Sequence, residues 1–567
     1  MKRKVSVSEI LNHSGPDSAW LVVDGNVYDM TDFASSHPGG PDGECRDETD
    51  SSALPGPLEP PKPSLQMPKT DVLCCVSPVI HQYSGRDASL PYNQVHAPSL
   101  IKSSLDERLH IGTLDTATIT EAWTAANTPD PRALAQQAEA APLKPPLEAL
   151  ISMSDFEKAA RQSFTRKAWA YINGASNDNI TRDMNRDALN KIWFRSAVMR
   201  NVSGVTTKTR LFGCDLDAPL YVSPTGAVRT AGQEGELALA RAAGPSGIVH
   251  CISTPASYPH DEILRATPEH AFFQLYVDKD RAKSARLLRQ MSRNAKVKAI
   301  FVTVDLPVVS KREDDERLRA ESAAEKQVSP GRDQKGAGLA RLSGSFIDPA
   351  LTWDDIPWIR KHTHLPVVVK GIQRWEDAQT ALTLGCEGIV VSNHGGRAAD
   401  TAQPSIITLL ELRSNCPQVF GSMEVLVDGG FRRGSDVVKA ICLGASAVGM
   451  GRPFLYAVNY GTAGVAHAVA LLRDEIETAM RLCGMTSLMD DAGPDFLNTG
   501  AVDHLVHRQS YIIPFSHTML PKNPADPFKG RNSCSGQDYH PNRHTSTLAQ
   551  DPSGSAANIL HCCHGAG

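Results

Sequence analysis

Three short polar runs carry residues whose types and spacing could do chemistry. Ser392-Asn-His-Gly-Gly-Arg397 puts an imidazole and a guanidinium three residues apart on a turn loosened by glycine. That pairs a base with a clamp for a carboxylate. Asp428-Gly-Gly-Phe-Arg-Arg-Gly434 combines exposed backbone N–H groups with two arginines, and Gly451-Arg-Pro453 repeats the theme. Both suit the phosphate of a cofactor. Lys370, before Gly371-Ile-Gln373, adds a cation that says little alone. Singly, His394 could be a hydrogen-bonded structural histidine and Arg397 an ordinary ion-pair residue.

The elements that must position these groups decide between the two readings. After Ser154, eight apolar runs alternate with helical stretches: Pro219–Ser223, Gly247–Ser253, Ala271–Tyr276, Ala299–Asp305, Leu365–Lys370, Gly388–Ser392, Glu424–Asp428 and Ala447–Gly451. Such alternation marks a parallel sheet, and eight strands suggest a closed (β/α)8 TIM barrel of the α/β class. Nearly every run ends on a polar or glycine residue, and the active site of such a barrel is built at those strand ends. Stability requires no such convergence of His, Arg, Lys, Asp and Tyr on one face. The long connection from Pro307 to about Pro349, charged at Lys311–Arg317, reads as a mobile lid, or else as a solvated charged helix.

Composition narrows the function. The 567 residues allow two or three units, with 41% hydrophobic and 21% charged residues as in an ordinary globular protein. A net charge of -5 gives no basic field for nucleic acid or acidic lipid. The twelve cysteines form no CxxC framework, and no apolar run approaches a membrane span. A reducing compartment is expected, cytoplasm by default and mitochondria as the alternative. Cys562-Cys563, flanked by His561 and His564, is a weak candidate metal site.

The runs Ser392–Arg397, Lys370–Gln373, Thr303-Val-Asp305, Gln274-Leu-Tyr276 and Asp428–Gly430 resemble the FMN-dependent family that oxidises 2-hydroxy acids, over roughly Met153 to Pro514. The resemblance implies that His394 is the base and that Asp305 stabilises its imidazolium. It implies that Arg397 and Tyr171 grip the substrate carboxylate, with Arg312 adding charge, and that Tyr276 bonds the substrate hydroxyl. Lys370 would lie at the N1/O2 edge of the flavin. Ser223, Thr225, Ser253, Gln274 and Thr303 would bond the isoalloxazine and ribityl groups, and Asp428, Gly430, Arg432, Gly451 and Arg452 would surround the ribityl phosphate. Two electrons would pass to FMN, as a hydride or through a carbanion. Gly226 and Pro255 stand where lactate-specific members carry small and branched apolar residues, so a wider substrate pocket is expected.

Ahead of the barrel, Ser36-His-Pro-Gly-Gly40 and Tyr92–Pro98 resemble the two haem-ligand loops of cytochrome b5, a small α+β domain, with His37 and His96 as axial ligands. Haem b held by two histidines carries electrons. These ligands stand 59 positions apart, more than the intact module carries. The excess falls in residues 41–76, acidic and rich in serine and proline, which read as a disordered insertion foreign to the fold, such as an unspliced intron translated in frame. The expected organisation is a haem domain over 1–100, a linker over 101–150, the barrel over 151–514 and a disordered tail over 515–567. The combination implies oxidation of an (S)-2-hydroxy acid, first of all L-lactate to pyruvate, with electrons passing through haem to a c-type cytochrome. A peroxide-forming oxidase with a vestigial haem domain is the enzymatic alternative. A non-catalytic haem or flavin binder would lack the base and clamp. Members of the family commonly form homotetramers.

Overall fold

The eight runs fold as a closed, all-parallel barrel: β1 (Leu220–Val222), β2 (Val249–Ser253), β3 (Ala271–Leu275), β4 (Val297–Thr303), β5 (Val367–Ile372), β6 (Gly388–Val391), β7 (Glu424–Asp428) and β8 (Ala447–Met450), with β8 pairing back onto β1. The computed structural model describes residues 3–36, 78–128, 144–318 and 344–508. Every barrel strand is buried on both faces, which is why the strands read as unbroken apolar runs instead of alternating ones. Tyr221, Cys251, Phe272, Phe301, Val368, Val390 and Leu426 fill the interior, and Leu211 of an antiparallel hairpin packs into the same cluster. Neighbours such as Val222, Ile252, Phe273, Val369 and Val427 face the outer helices.

A fully buried, outward-facing strand residue breaks this apolar rule. His250 in β2 is 1% exposed, and neither ring nitrogen has a partner among the described residues. Burial pushes its pKa from 6.5 down to about 3. The folded protein therefore stays unprotonated at this group while the unfolded chain takes up a proton below about pH 6.5. Stability then falls with decreasing pH across that window by about 1.4 kcal/mol per unit. Thermal midpoints measured from pH 7 to 4.5 should drop less steeply for His250→Leu than for the parent; parallel curves would refute the assignment.

The small domain is a five-stranded sheet in the order Lys4–Val5, His110–Leu114, Asn26–Asp29, Ser18–Val23, Ser14–Gly15. Asp24 and Gly25, both at positive φ, turn the central hairpin so that Val22 pairs with Val27. One sheet face packs Leu21, Val23, Tyr28 and Met30 against Ile80, Ala88 and Ile101, and the other packs Trp20, Val22 and Val27 against Ile10 and Trp123.

Here the expected linker over 101–150 needs correction. His110–Leu114 lies between two other strands, and the helix Glu121–Asn127 buries Trp123, so the small domain runs on to about residue 128. Gly112 interrupts the apolar pattern of this strand. That glycine is needed, since a side chain there would collide with the Arg3 carbonyl of the neighbouring strand. From Lys144 the chain already binds the barrel, Lys144 Nζ donating to Asn459 O at 2.6 Å. The insertion over 41–76, His37, the tail over 515–567 and the Cys562-Cys563 pair lie outside the described residues, as do 319–343 of the expected lid.

Candidate active site

At the C-terminal mouth of the barrel lies a cavity of about 640 Å3, within the range of cofactor and substrate sites. All the expected barrel-site residues line it except Gln274, Thr303 and Asp305, which stand directly behind those that do. His96 is in the small domain, at the end of the helix Ser89–Val95.

His394 follows β6 in a left-handed backbone conformation, φ 58°, followed by Gly395 at 62° and Gly396 at 80°. A non-glycine residue held there costs about 1–3 kcal/mol unless its surroundings enforce it. Enforcement comes from Asn393. Its Oδ1 accepts from Gly396 N–H at 3.1 Å, and its Nδ2 donates to Gln403 O and to Asn185 Oδ1, each at 2.9 Å. Asn185 Nδ2 returns a bond to Asn393 Oδ1 at 2.9 Å. Asn393 sits inside a motif singled out from sequence, whereas Asn185 belongs to the distant helix Ile180–Asn190, which carried no local signal.

The imidazole is oriented from behind. His394 Nδ1 lies 2.8 Å from Asp305 Oδ1, and Tyr276 Oη lies 3.4 Å from Nε2. Asp305 has no exposed side-chain surface. Burial would raise its carboxyl pKa, but His394 and Lys370 outweigh that and hold it below the usual range. Burial pulls the His394 pKa below 6.5, against the opposing pull of Asp305. The ring is thus neutral at pH 7, with Nδ1–H toward Asp305 and the Nε2 lone pair toward the cavity.

Lys370 is the hub of a second buried network. Its Nζ donates to Ser392 Oγ at 3.0 Å and lies 3.5 Å from Asp428 Oδ2 and 4.0 Å from Asp305 Oδ2. Ser392 and Ser223 donate to the two oxygens of Asp428 at 2.5 and 3.2 Å. The carboxylates more than offset the burial of the ammonium, so Lys370 stays charged. Across the ends of β2, β3 and β4, Ser253 Oγ donates to Gln274 Oε1 and Gln274 Nε2 to Thr303 Oγ1, both at 3.0 Å.

An anion would be welcome at the remaining wall. The Arg397 guanidinium stands 5.1 Å over the Tyr171 ring, and Tyr171 Oη donates to Gly226 O at 3.2 Å. Arg312 is buried beside Arg397, and burial and that like charge pull its pKa down, the mark of a cation short of a counter-ion. The expected widening at Gly226 is not found. A Cβ there would lie 2.9 Å from Pro255 Cγ and from Pro255 O, so the proline fills the space that the glycine leaves.

The cavity fits a flavin mononucleotide. Thr225 Oγ1 is buried with no partner among the described residues, and a Cβ on Gly451 would meet nothing closer than 3.7 Å, leaving room against Thr225 and Ser223. Two expected phosphate arginines already have protein partners. Arg432 pairs with Glu157 at 2.6 Å, and Arg452 donates to the carbonyls of Ile172, Gly395 and Gly174 at 3.1, 2.8 and 3.0 Å.

This fold and site define an FMN-dependent oxidoreductase. The family model for FMN-dependent dehydrogenases matches residues 160–499, and that for the cytochrome b5-like heme/steroid binding domain matches residues 6–43. L-lactate dehydrogenase (cytochrome) of Saccharomyces cerevisiae is 36% identical over 510 residues, covering 88% of this chain and 80% of the yeast protein. The 2-hydroxyacid oxidase 2 of Bos taurus is 36% identical over 60% of this chain and 96% of its own length. The solved flavin-binding domain of baker's yeast flavocytochrome b2 superposes with a TM-score of 0.59 at 37% identity, covering 70% of this chain and 98% of that domain. The chain belongs to the FMN-dependent dehydrogenase family, with a cytochrome b5-like domain in front, and its cofactors are FMN and haem.

Proposed function

We propose that the chain oxidises an (S)-2-hydroxy acid, L-lactate to pyruvate first among candidates, and passes the electrons through the haem of its small domain to a c-type cytochrome. The observation that carries this reading is the His394–Asp305 pair beside Tyr276, facing a wall of Arg397, Tyr171 and Arg312. Bound FMN supplies the two-electron acceptor. The residues supply the rest. Arg397 and Tyr171 hold the substrate carboxylate, with Arg312 adding charge from behind, and so fix the reacting carbon. Tyr276 Oη and His394 Nε2 receive the hydroxyl between them. Nε2 takes the substrate's proton, and Asp305 at 2.8 Å stabilises the imidazolium that results.

Ser223, Thr225 and Ser253 would hold the ring and ribityl chain, with Gln274 and Thr303 bracing them from behind, Gly430 and Gly451 would offer backbone N–H groups to the phosphate, and Lys370 would supply a positive charge to the ring. Lys370→Met should leave KM within about threefold while slowing flavin bleaching by about 10²-fold, as expected when one preorganised charge is lost. Stopped-flow absorbance checks this, and an unchanged bleaching rate would remove Lys370 from the electron-transfer step.

The small domain favours electron export over use of oxygen: the bovine oxidase is matched over 60% of this chain, whereas the yeast L-lactate dehydrogenase (cytochrome) is matched over 88%. The test is the visible spectrum of the full-length protein before and after anaerobic L-lactate. Flavin bleaching followed by sharp reduced-haem bands supports the whole reading. Bleaching without haem bands supports the oxidase, and oxygen consumption would then confirm it. No bleaching with any 2-hydroxy acid would overturn both.

A further inference from the structure

Two loops form one wall of the cavity and leave it together toward the small domain. Gly226 and Pro255 face the cavity, and within three residues these loops reach Arg229 and Ser257. Ala227 N–H donates to Pro255 O at 3.1 Å, and Arg229 N–H donates to Ser257 Oγ at 3.2 Å. Behind them lies the carboxylate of Glu236, with no exposed surface. One oxygen of it accepts from Val228 N–H at 3.2 Å and from Ser257 N–H at 2.8 Å. A buried carboxylate that takes one N–H from each loop locks their register, since breaking either bond strands a polar group away from water.

The outer side of this lock holds the small domain. Ser257 O accepts from Ala97 N–H at 2.8 Å, Arg229 Nη2 donates to Asn93 O at 3.0 Å, and Ser99 Oγ donates to Glu262 Oε2 at 2.7 Å. Arg229 is itself braced by Tyr258, whose hydroxyl lies 3.0 Å from Nη1 and whose ring lies 5.5 Å beneath the guanidinium. Gly235, at φ 50°, makes room for the arginine, because a Cβ there would come within 2.9 Å of Arg229 Cγ. Ala97 has no exposed surface, and Val95 packs on the barrel core. Asn93 to Ala97 is the segment that contains His96.

We propose that Arg229 is a positioning residue that seats the His96 segment on the rim of the cavity, so that the substrate wall and the dock of the small domain are one rigid piece. The consequence for catalysis rests on the reading above, that electrons leave the barrel through the small domain. Transfer between redox groups falls steeply with separation, so a seat that fixes His96 relative to Pro255 sets the rate of that step. It leaves proton removal by His394 untouched.

The experiment uses full-length protein carrying its cofactors, with Arg229→Met and Arg229→Lys. Amide hydrogen exchange over 89–105 reads the seat, and stopped-flow absorbance reads flavin bleaching by L-lactate and the haem reduction that follows. Arg229→Met should lose at least about tenfold in protection at 93–99 and at least about tenfold in haem reduction, the scale of a lost charged hydrogen bond. Flavin bleaching should stay within about twofold, and Arg229→Lys should fall between, because a single ammonium replaces the guanidinium fork. Unchanged protection overturns the seat. Lost protection with undiminished haem reduction overturns its role in electron transfer. Absence of flavin bleaching in the parent protein would count against the functional reading instead, and hydrogen exchange would still decide the seat.

Discussion

His394→Asn is expected to slow flavin bleaching and lower kcat/KM by about 10⁴-fold, the upper range for loss of a positioned general base. Asparagine is the informative replacement. It tolerates the left-handed backbone that residue 394 adopts, so the loop fixed by Asn393 and Asn185 should stay in place. Its amide cannot take a proton at neutral pH. Flavin content and thermal midpoint should match the parent, which separates a chemical loss from a folding one. A His394→Asn protein that kept activity within about tenfold of the parent would remove His394 from proton transfer and leave it a structural group.

Asp305→Asn should cost nearly as much, about 10³–10⁴-fold, for a different reason. The carboxylate can only accept, so it fixes the proton of His394 on Nδ1 and leaves Nε2 free to act. An asparagine can turn its Nδ2 toward Nδ1, which puts the proton on Nε2 and presents the substrate with a donor. It also removes the negative charge that favours the imidazolium. In the parent, burial already holds the His394 pKa below 6.5, so activity should persist down to that pH and fall only on further acidification, as the base becomes protonated. Without Asp305 the residual activity should fall at still lower pH, because the group that raised the pKa is gone. A pH–rate profile of both proteins checks the sign. A limb that moves to higher pH in the variant would contradict the assignment of Asp305.

The barrel was legible because burial on both faces writes parallel strands as solid apolar runs, and all eight were found with ends displaced by two residues at most. Much of the site was legible for a related reason: the polar residues that end those runs have no role in packing. What sequence hid is what depends on contacts between distant segments. The strand His110–Leu114 is short and broken by a glycine whose reason lies in another strand. Gly226 promised room, but the room was already taken by Pro255, almost thirty residues away. Asn185 gave no hint that it braces the base loop from another helix. Charge near the phosphate end was anticipated from Arg432 and Arg452, whereas their protein partners could come only from the fold.

Arg452 has a consequence for how the cofactor is received. Its three bonds run to the helix that carries Tyr171, to the residue after that helix, and to the glycine beside His394. One side chain therefore staples the substrate-gripping segment to the base loop with bonds that involve no ligand. The ordering of both is completed during folding and is not charged against binding, which favours a tight site for any ring system of similar outline. Flavin analogues altered at the ring should then exchange into protein stripped of FMN without disturbing the base, which would allow the redox partner to be varied while the proton chemistry is held constant.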